Sequence, residues 1–179
     1  MPRPTLPASA PSSLANPQQP GDLLMYRLHK LSAAAGRLVT RLLERRYGIT
    51  RREWGVLMWL AREPGLSPSL LAEHLELDRA RISRAIASMQ TKGLLHKQAA
   101  SSNRRSAALQ LSSVGKALHD EILPQVRAIN LQLLGGLDGD QQAQLSLLLE
   151  QLQTQAQALD HALAQDQAAY PPRQAGKRA

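Results

Sequence analysis

Between Thr50 and Gly93 the chain carries three helix starts and two stops in close succession. Thr50-Arg51-Arg52-Glu53 has the spacing of a capping box. Ser67-Pro68 reads as an N-cap followed by proline at the first helical position. Asp78 can cap a third start, and Pro64-Gly65 and Gly93 supply the stops. The segments between these signals are apolar at helical spacing: Trp54, Leu57, Met58, Leu60 and Ala61, then Leu70, Leu71, Ala72 and Leu75, then Ile82, Ala85, Ile86 and Met89. Side chains therefore dictate where three short helices begin and end. The last two are joined by so short a turn that they must form a helix-turn-helix.

The flanks are different. A first helix is predicted from about Asp22 to Arg46, with Leu24, Leu28, Leu31, Ala35, Leu38 and Leu42 alternating steps of four and three. That is a narrow seam suited to pairing with another helix; Tyr47-Gly48 ends it. After Gly93 the period shortens: Leu94-Leu95-His96-Lys97 and Ala107-Ala108-Leu109-Gln110-Leu111 flank the polar stretch 100–105, which predicts a β-hairpin. Ser112 or Ser113 can cap a long fifth helix carrying Val114, Leu118, Ile122, Val126, Ile129 and Leu133, with a kink expected at Pro124. Gly135-Gly136 stops it. Asp138 to Gln141 repeats the capping-box spacing and opens a last helix with the seam Leu145, Leu149, Leu152, Ala156, Leu159 and Leu163. With no Phe, two Trp and three Tyr, the core must come from Leu, Ala, Ile and Val, which favours helices over sheets. Residues 1–20 hold six of the eleven prolines, and residues 168–179 are short and basic; both are expected to be tails.

Charge is concentrated as sharply as the caps. Of the net charge of +8, six charges fall between Leu77 and Arg105, where Arg79, Arg81, Arg84, Lys92, Lys97, Arg104 and Arg105 face a single acid, Asp78. At about 100° per residue, Ala80, Arg84, Ala87 and Thr91 lie opposite the apolar side of the helix opened by Asp78, flanked by Arg81, Ser83 and Ser88. Small residues interleaved with Arg and Ser let a helix approach a major groove and offer donors to guanine and phosphate. Arg79 lies in the first turn, where backbone amides also favour phosphate. A basic helix face can be merely solvated, but the capped turn before it and the basic hairpin after it favour the groove-reading alternative. Arg104-Arg105 at the hairpin tip would then reach a minor groove or its phosphates.

Other chemistries find no support. No Cys is present, which excludes disulfides, thiolate zinc sites, cysteine nucleophiles and thiol-based sensing. Five scattered His lack metal-ligand spacing, and no dinucleotide fingerprint, P-loop or nucleophile elbow occurs. Neither enzyme nor cofactor is expected. No apolar run approaches the roughly 18 residues of a membrane span, and the first residues lack the apolar core of a secretory signal, so a cytoplasmic protein is expected.

In order along the chain, Thr50–Trp54, Leu71-Ala72-Glu73-His74-Leu75, Asp78-Arg79-Ala80-Arg81-Ile82-Ser83-Arg84, Gly93-Leu94-Leu95, Asn103-Arg104-Arg105 and Leu111-Ser112-Ser113-Val114-Gly115 resemble the MarR (multiple antibiotic resistance regulator) transcription factors. The resemblance covers about residues 22–165. Asn103 stands where the family usually has Asp, which removes the carboxylate that would orient the wing arginine. Ser112 replaces Thr, and either hydroxyl can cap a helix.

The resemblance implies a mainly α fold, a winged helix-turn-helix of six helices plus a two-stranded hairpin wing. Its expected organisation is a domain at 21–167, with 50–112 as the winged helix-turn-helix and 21–47 plus 113–167 as a dimerisation region. It implies a homodimer on a pseudo-palindromic DNA operator, with Ser67, Ser69, Arg79, Ala80, Arg81, Ser83, Arg84, Ser88, Arg104 and Arg105 as the DNA-facing set. It also implies repression relieved by a small aromatic or phenolic acid, such as a pyridine carboxylate from a catabolic pathway. Tyr26, His29, Arg51, Trp54, Met58 and His119 are the residues expected around that acid. Two other classes fit parts of the pattern: an architectural protein coating DNA without sequence preference, and a helical module that binds another protein through its seams.

Overall fold

A computed structural model describes residues 12–98 and 108–165. Its elements are α1 (Leu24–Tyr47), α2 (Arg51–Arg62), α3 (Pro68–His74), α4 (Arg79–Thr91), β1 (Leu95–Gln98), β2 (Ala108–Leu111), α5 (Ser113–Leu134) and α6 (Gly139–Gln165). The mainly helical fold with one antiparallel hairpin is the one expected.

The local signals act as read. Thr50 Oγ1 accepts from the Glu53 amide while the Glu53 carboxylate accepts from the Thr50 amide at 2.7 Å. Ser67 and Asp78 cap α3 and α4 by accepting from the amides of Leu70 and Arg81. Gly48 takes a left-handed φ of 63°, which lets its amide turn back onto Leu43 and end α1. Ser112 caps α5, and the helix continues through Pro124 without interruption.

α2, α3 and α4 converge on a core of Leu43, Ile49, Val56, Leu57, Leu60, Leu71, Ile82, Ile86 and Met89, closed by Leu109 and Leu111 of the hairpin and Ile122 of α5. In the hairpin, Leu95 pairs with Leu111 and Gln98 with Ala108. Gly65 and Leu66 exchange backbone hydrogen bonds with Leu109, so the turn between α2 and α3 docks on the edge of β2.

Leu94, expected inside the first strand, instead sits in the turn before it. Its carbonyl accepts from the Ser112 amide, and Ser112 Oγ donates to the Gly93 carbonyl at 2.6 Å. A Cβ on Gly115 would lie 2.0 Å from the Leu94 carbonyl oxygen. The run Leu111 to Gly115 is thus a clasp: its serine joins the end of α4 to the start of α5, and its glycine leaves room for the join.

Residues 12–22 differ from a tail with nothing to bury. The Asp22 carboxylate accepts from the amides of Gln18 and Gln19, and Arg27 donates to the Gly21 carbonyl and to Ser13 Oγ. Hydrogen bonds from Gln18, with smaller help from Gln19 and the Arg27 charge, hold the Asp22 carboxyl below its ordinary value despite the opposing effect of burial. Polar pairing, which a count of apolar residues cannot register, holds this turn at the start of α1.

The chain divides into two compact units, Met1–Leu131 and Gln132–Ala179. In the second, α6 opens on the expected capping box, with the Asp138 amide donating to Gln141 and the Gln141 amide to Asp138. None of its residues is buried, and Leu145, Leu149, Leu152, Leu159 and Leu163 are all exposed.

Candidate nucleic-acid interface

α4 has two opposite characters. Ile82, Ala85, Ile86 and Met89 are buried, while Arg79, Ala80, Arg81, Ser83, Arg84 and Ala87 are exposed. The caps at Ser67 and Asp78 fix where α3 and α4 begin, and the stack of His74 on Trp59, with ring centres 4.0 Å apart, joins the end of α3 to α2. Ser69, Arg79, Ser83, Gln90 and Lys97 share the lining of a hollow of about 280 Å³ between the start of α3, α4 and β1. Ser67 is half-buried, its oxygen engaged as the α3 cap. Arg81 pairs with Asp78 at 3.1 Å. Arg104 and Arg105, with Asn103, lie outside the described residues.

Two expectations about this surface are corrected. Ser88 does not point to the open side of α4: it is half-buried, and its hydroxyl donates to Glu53 Oε1 at 2.7 Å. Lys92 is not a free member of the basic run. Its ammonium donates to both Glu53 oxygens, at 2.8 and 3.0 Å, and to the Gly48 carbonyl at 2.8 Å. The reason is common to both. Glu53 is 1% exposed, and a carboxylate so enclosed requires donors on every side. Burial alone would raise its pKa; the hydrogen bonds from Lys92, the Thr50 amide and Ser88, with the Lys92 charge, outweigh burial and hold it below its ordinary value.

Glu53 therefore does more than cap its own helix. It ties the first turn of α2 to the last turn of α4, and so fixes how α4 projects. The sequence offered Glu53 only as a capping partner; a lone acid on the buried side of a helix, with a lysine near the end of another, was the available signal. Arg52, next to it, is exposed and shares a small hollow with Arg81 and Arg84, which brings α2 into the basic surface.

The residues expected around a small acid are only partly assembled. Trp54 and His119 stack with ring centres 5.7 Å apart and planes 18° from parallel, and His119 Nδ1 lies 2.9 Å from the Asp120 carboxylate. Met58 is exposed on α2. The Arg51 guanidinium lies against Gly36 of α1, where a Cβ would come within 2.6 Å of it. Tyr26 and His29 sit about 15 and 10 Å further along α1 from that crossing, by helix rise, and are exposed. Arg51 and Arg52 instead line a separate concavity of about 430 Å³ with Thr40, Glu44, Leu75 and Leu77.

Among the described residues no group of His, Asp and Glu could hold a metal ion, and no helix is long and apolar enough to cross a membrane.

A capped helix pair presenting a basic helix, followed by a hairpin clasped to a long helix, defines a winged helix-turn-helix protein with a basic helix face open to solvent. The sequence model of the MarR family matches residues 47–106. The HTH-type transcriptional repressor Rv2887 of Mycobacterium tuberculosis is 30% identical over 105 residues, 59% of this chain and 76% of that protein. This chain belongs to the MarR family. It is also similar to the transcriptional regulatory protein proposed for the hcr operon of Thauera aromatica, 30% identical over 92 residues; the match spans 51% of this chain and 55% of that protein. Among solved structures, Rv2887 in complex with DNA matches with a TM-score of 0.59 at 26% identity, covering 73% of this chain and 97% of that one. Its complex with salicylic acid matches at 28% identity with the same score, covering 73% and 96%. The regulator SlyA shares the fold, with a TM-score of 0.68 at 22% identity over 75% of this chain and 94% of that one.

Proposed function

We propose that this MarR-family regulator is a homodimeric, sequence-specific cytoplasmic repressor. In each protomer α4 enters the major groove of one half of a pseudo-palindromic operator, and Arg104 and Arg105 at the hairpin tip engage the adjoining minor groove. The observation that carries this reading is the exposed face of α4, where Arg79 and Arg84 alternate with Ala80, Ser83 and Ala87. Arginine supplies bidentate donors to guanine, and the small residues permit close approach. Ser67, Ser69 and Arg81 flank that face and would set the register on the phosphates. The complex of the similar Rv2887 with DNA supports the same use of the fold.

Dimerisation is supported by the leucine seams. Leu31 and Leu38 of α1 and five seam leucines of α6 are exposed in the single chain, more apolar surface than a soluble monomer ordinarily leaves in water. We assign residues 21–47 and 113–167 to a dimerisation region and 50–112 to the DNA-binding lobe. A two-fold dimer would place the two α4 helices about one helical turn apart on the duplex.

The effector in this reading is a small aromatic or phenolic acid, of which a pyridine carboxylate is one form. The salicylic acid complex of Rv2887 supports that class, and His119, half-buried where it stacks on the enclosed Trp54, would offer the acid an imidazole ring. Footprinting on the chain's own upstream DNA, combined with thermal-shift screening of aromatic acids, tests both halves. A protected pseudo-palindrome released by a compound that also raises the melting temperature is expected. Uniform protection of all DNA would point instead to a coating protein.

A further inference from the structure

The hollow beside Arg52 has a composition that the reading of α4 alone does not use. It measures about 190 Å³ and lies between the first turn of α2 and the middle of α4. Three of its lining side chains, Arg52, Arg81 and Arg84, are exposed cations. Arg81 shares its charge with Asp78; Arg52 and Arg84 enter no ion pair among the described residues.

Its single acid is Glu53, and both oxygens of that carboxylate are already engaged by Lys92, Ser88 and the Thr50 amide. With Glu53 neutralised by Lys92, the hollow is net positive. The Arg51 and Arg52 amides, in the first turn of a 12-residue helix, lack intrahelical acceptors and add to that potential. The chemistry this arrangement recognises is a tetrahedral oxyanion held by guanidinium forks.

We propose that Arg52 is a DNA-phosphate contact, and that a backbone phosphodiester seated between Arg52 and Arg84 extends the footprint of α4 onto α2. The inference rests on the proposed reading of α4 as the groove-reading helix. Arg84 belongs both to that face and to the hollow, so a duplex engaged by α4 brings its flanking phosphates within reach of Arg52. A free phosphate ion could use the same guanidinium forks, but it would meet them without the further contacts that a duplex supplies.

The test uses the full chain and two duplexes, one selected by the wild-type protein from a random-sequence pool and one of mixed sequence, titrated across salt concentrations. Arg52→Gln is expected to weaken binding to both duplexes alike, by about three- to tenfold near 0.1 M salt, and to lower the salt slope by about one. Arg52→Lys, which keeps the charge, should retain the slope. Unchanged affinity and slope in Arg52→Gln would overturn the inference while leaving the α4 reading intact. Loss confined to the selected duplex would also overturn it, since that marks a base contact. Failure of the wild-type protein to bind either duplex would instead overturn the reading beneath it. Inorganic phosphate separates the two anion sources: a phosphate-induced rise in melting temperature abolished by Arg52→Gln, with DNA binding unaltered, would assign the hollow to a free ion and contradict the proposal.

Discussion

The ammonium of Lys92 stands 2.8 and 3.0 Å from the two carboxylate oxygens of Glu53, across a sequence separation of 39 residues. Glu53 is enclosed and Lys92 keeps part of its side chain in water. The pair joins the start of α2 to the end of α4, so the orientation of α4 depends on a charge pair as well as on the apolar core. Breaking such a pair costs more than its net worth, because the enclosed partner is left without a counter-charge.

Glu53→Gln should therefore lower the unfolding free energy by about 2 kcal/mol at pH 7, less than for a fully enclosed pair because Lys92 is partly solvated. The sign of its pH dependence follows from the direction of the shift. The folded-state carboxyl titrates below its ordinary 4.5, so its contribution is complete above that value and is lost as pH falls through the folded value. Urea unfolding of wild type and Glu53→Gln at pH 7 and pH 3 checks this: the gap between them should narrow in acid, and a gap that widens would reverse the assignment.

Gly115 and Gly36 offer a contrast. A methyl group at Gly115 would sit 2.0 Å from the Leu94 carbonyl, which is backbone held by the Ser112 amide. At Gly36 it would meet the tip of the Arg51 side chain, at 2.6 Å, and that tip can swing away. Gly115→Ala should cost about 3 kcal/mol or more, whereas Gly36→Ala should stay within about 1 kcal/mol of neutral, helped by the better helix propensity of alanine. Thermal or urea melts of the two variants read this difference directly.

Legibility in the sequence followed distance along the chain. Thr50, Ser67, Asp78 and Asp138 act within three or four residues of themselves, and their helix starts were readable to the residue. The apolar face of α4 was equally plain because periodicity is local. Glu53 with Ser88 and Lys92, Trp54 with His119, and Trp59 with His74 join residues on different elements, and local spacing does not pair them. Leu94 was misassigned for a related reason: its β-like neighbours suggested a strand, but the long-range clasp from Ser112 claimed its carbonyl. The seam of α6 was legible as a pattern; what covers it is not written in the pattern.

His119 offers a way to separate effector response from folding. It stacks on Trp54 but is only half-buried, so His119→Ala should cost less than about 1.5 kcal/mol and leave DNA binding intact. If the Trp54–His119 site receives the acid, an aromatic acid that raises the melting temperature of the wild type and releases its DNA should do neither in this variant. Full retention of both would place the effector elsewhere, with the Arg51 concavity the next candidate.

The most direct test of the central claim is the affinity of wild type and Arg84→Ala for the selected duplex and for mixed-sequence DNA at one physiological salt concentration. Wild type should prefer the selected duplex by at least about 10³-fold. In Arg84→Ala that preference should fall by about tenfold or more, with mixed-sequence binding reduced much less. Equal affinity of the wild-type protein for both duplexes, or an equal loss on both in the variant, would contradict base reading by α4.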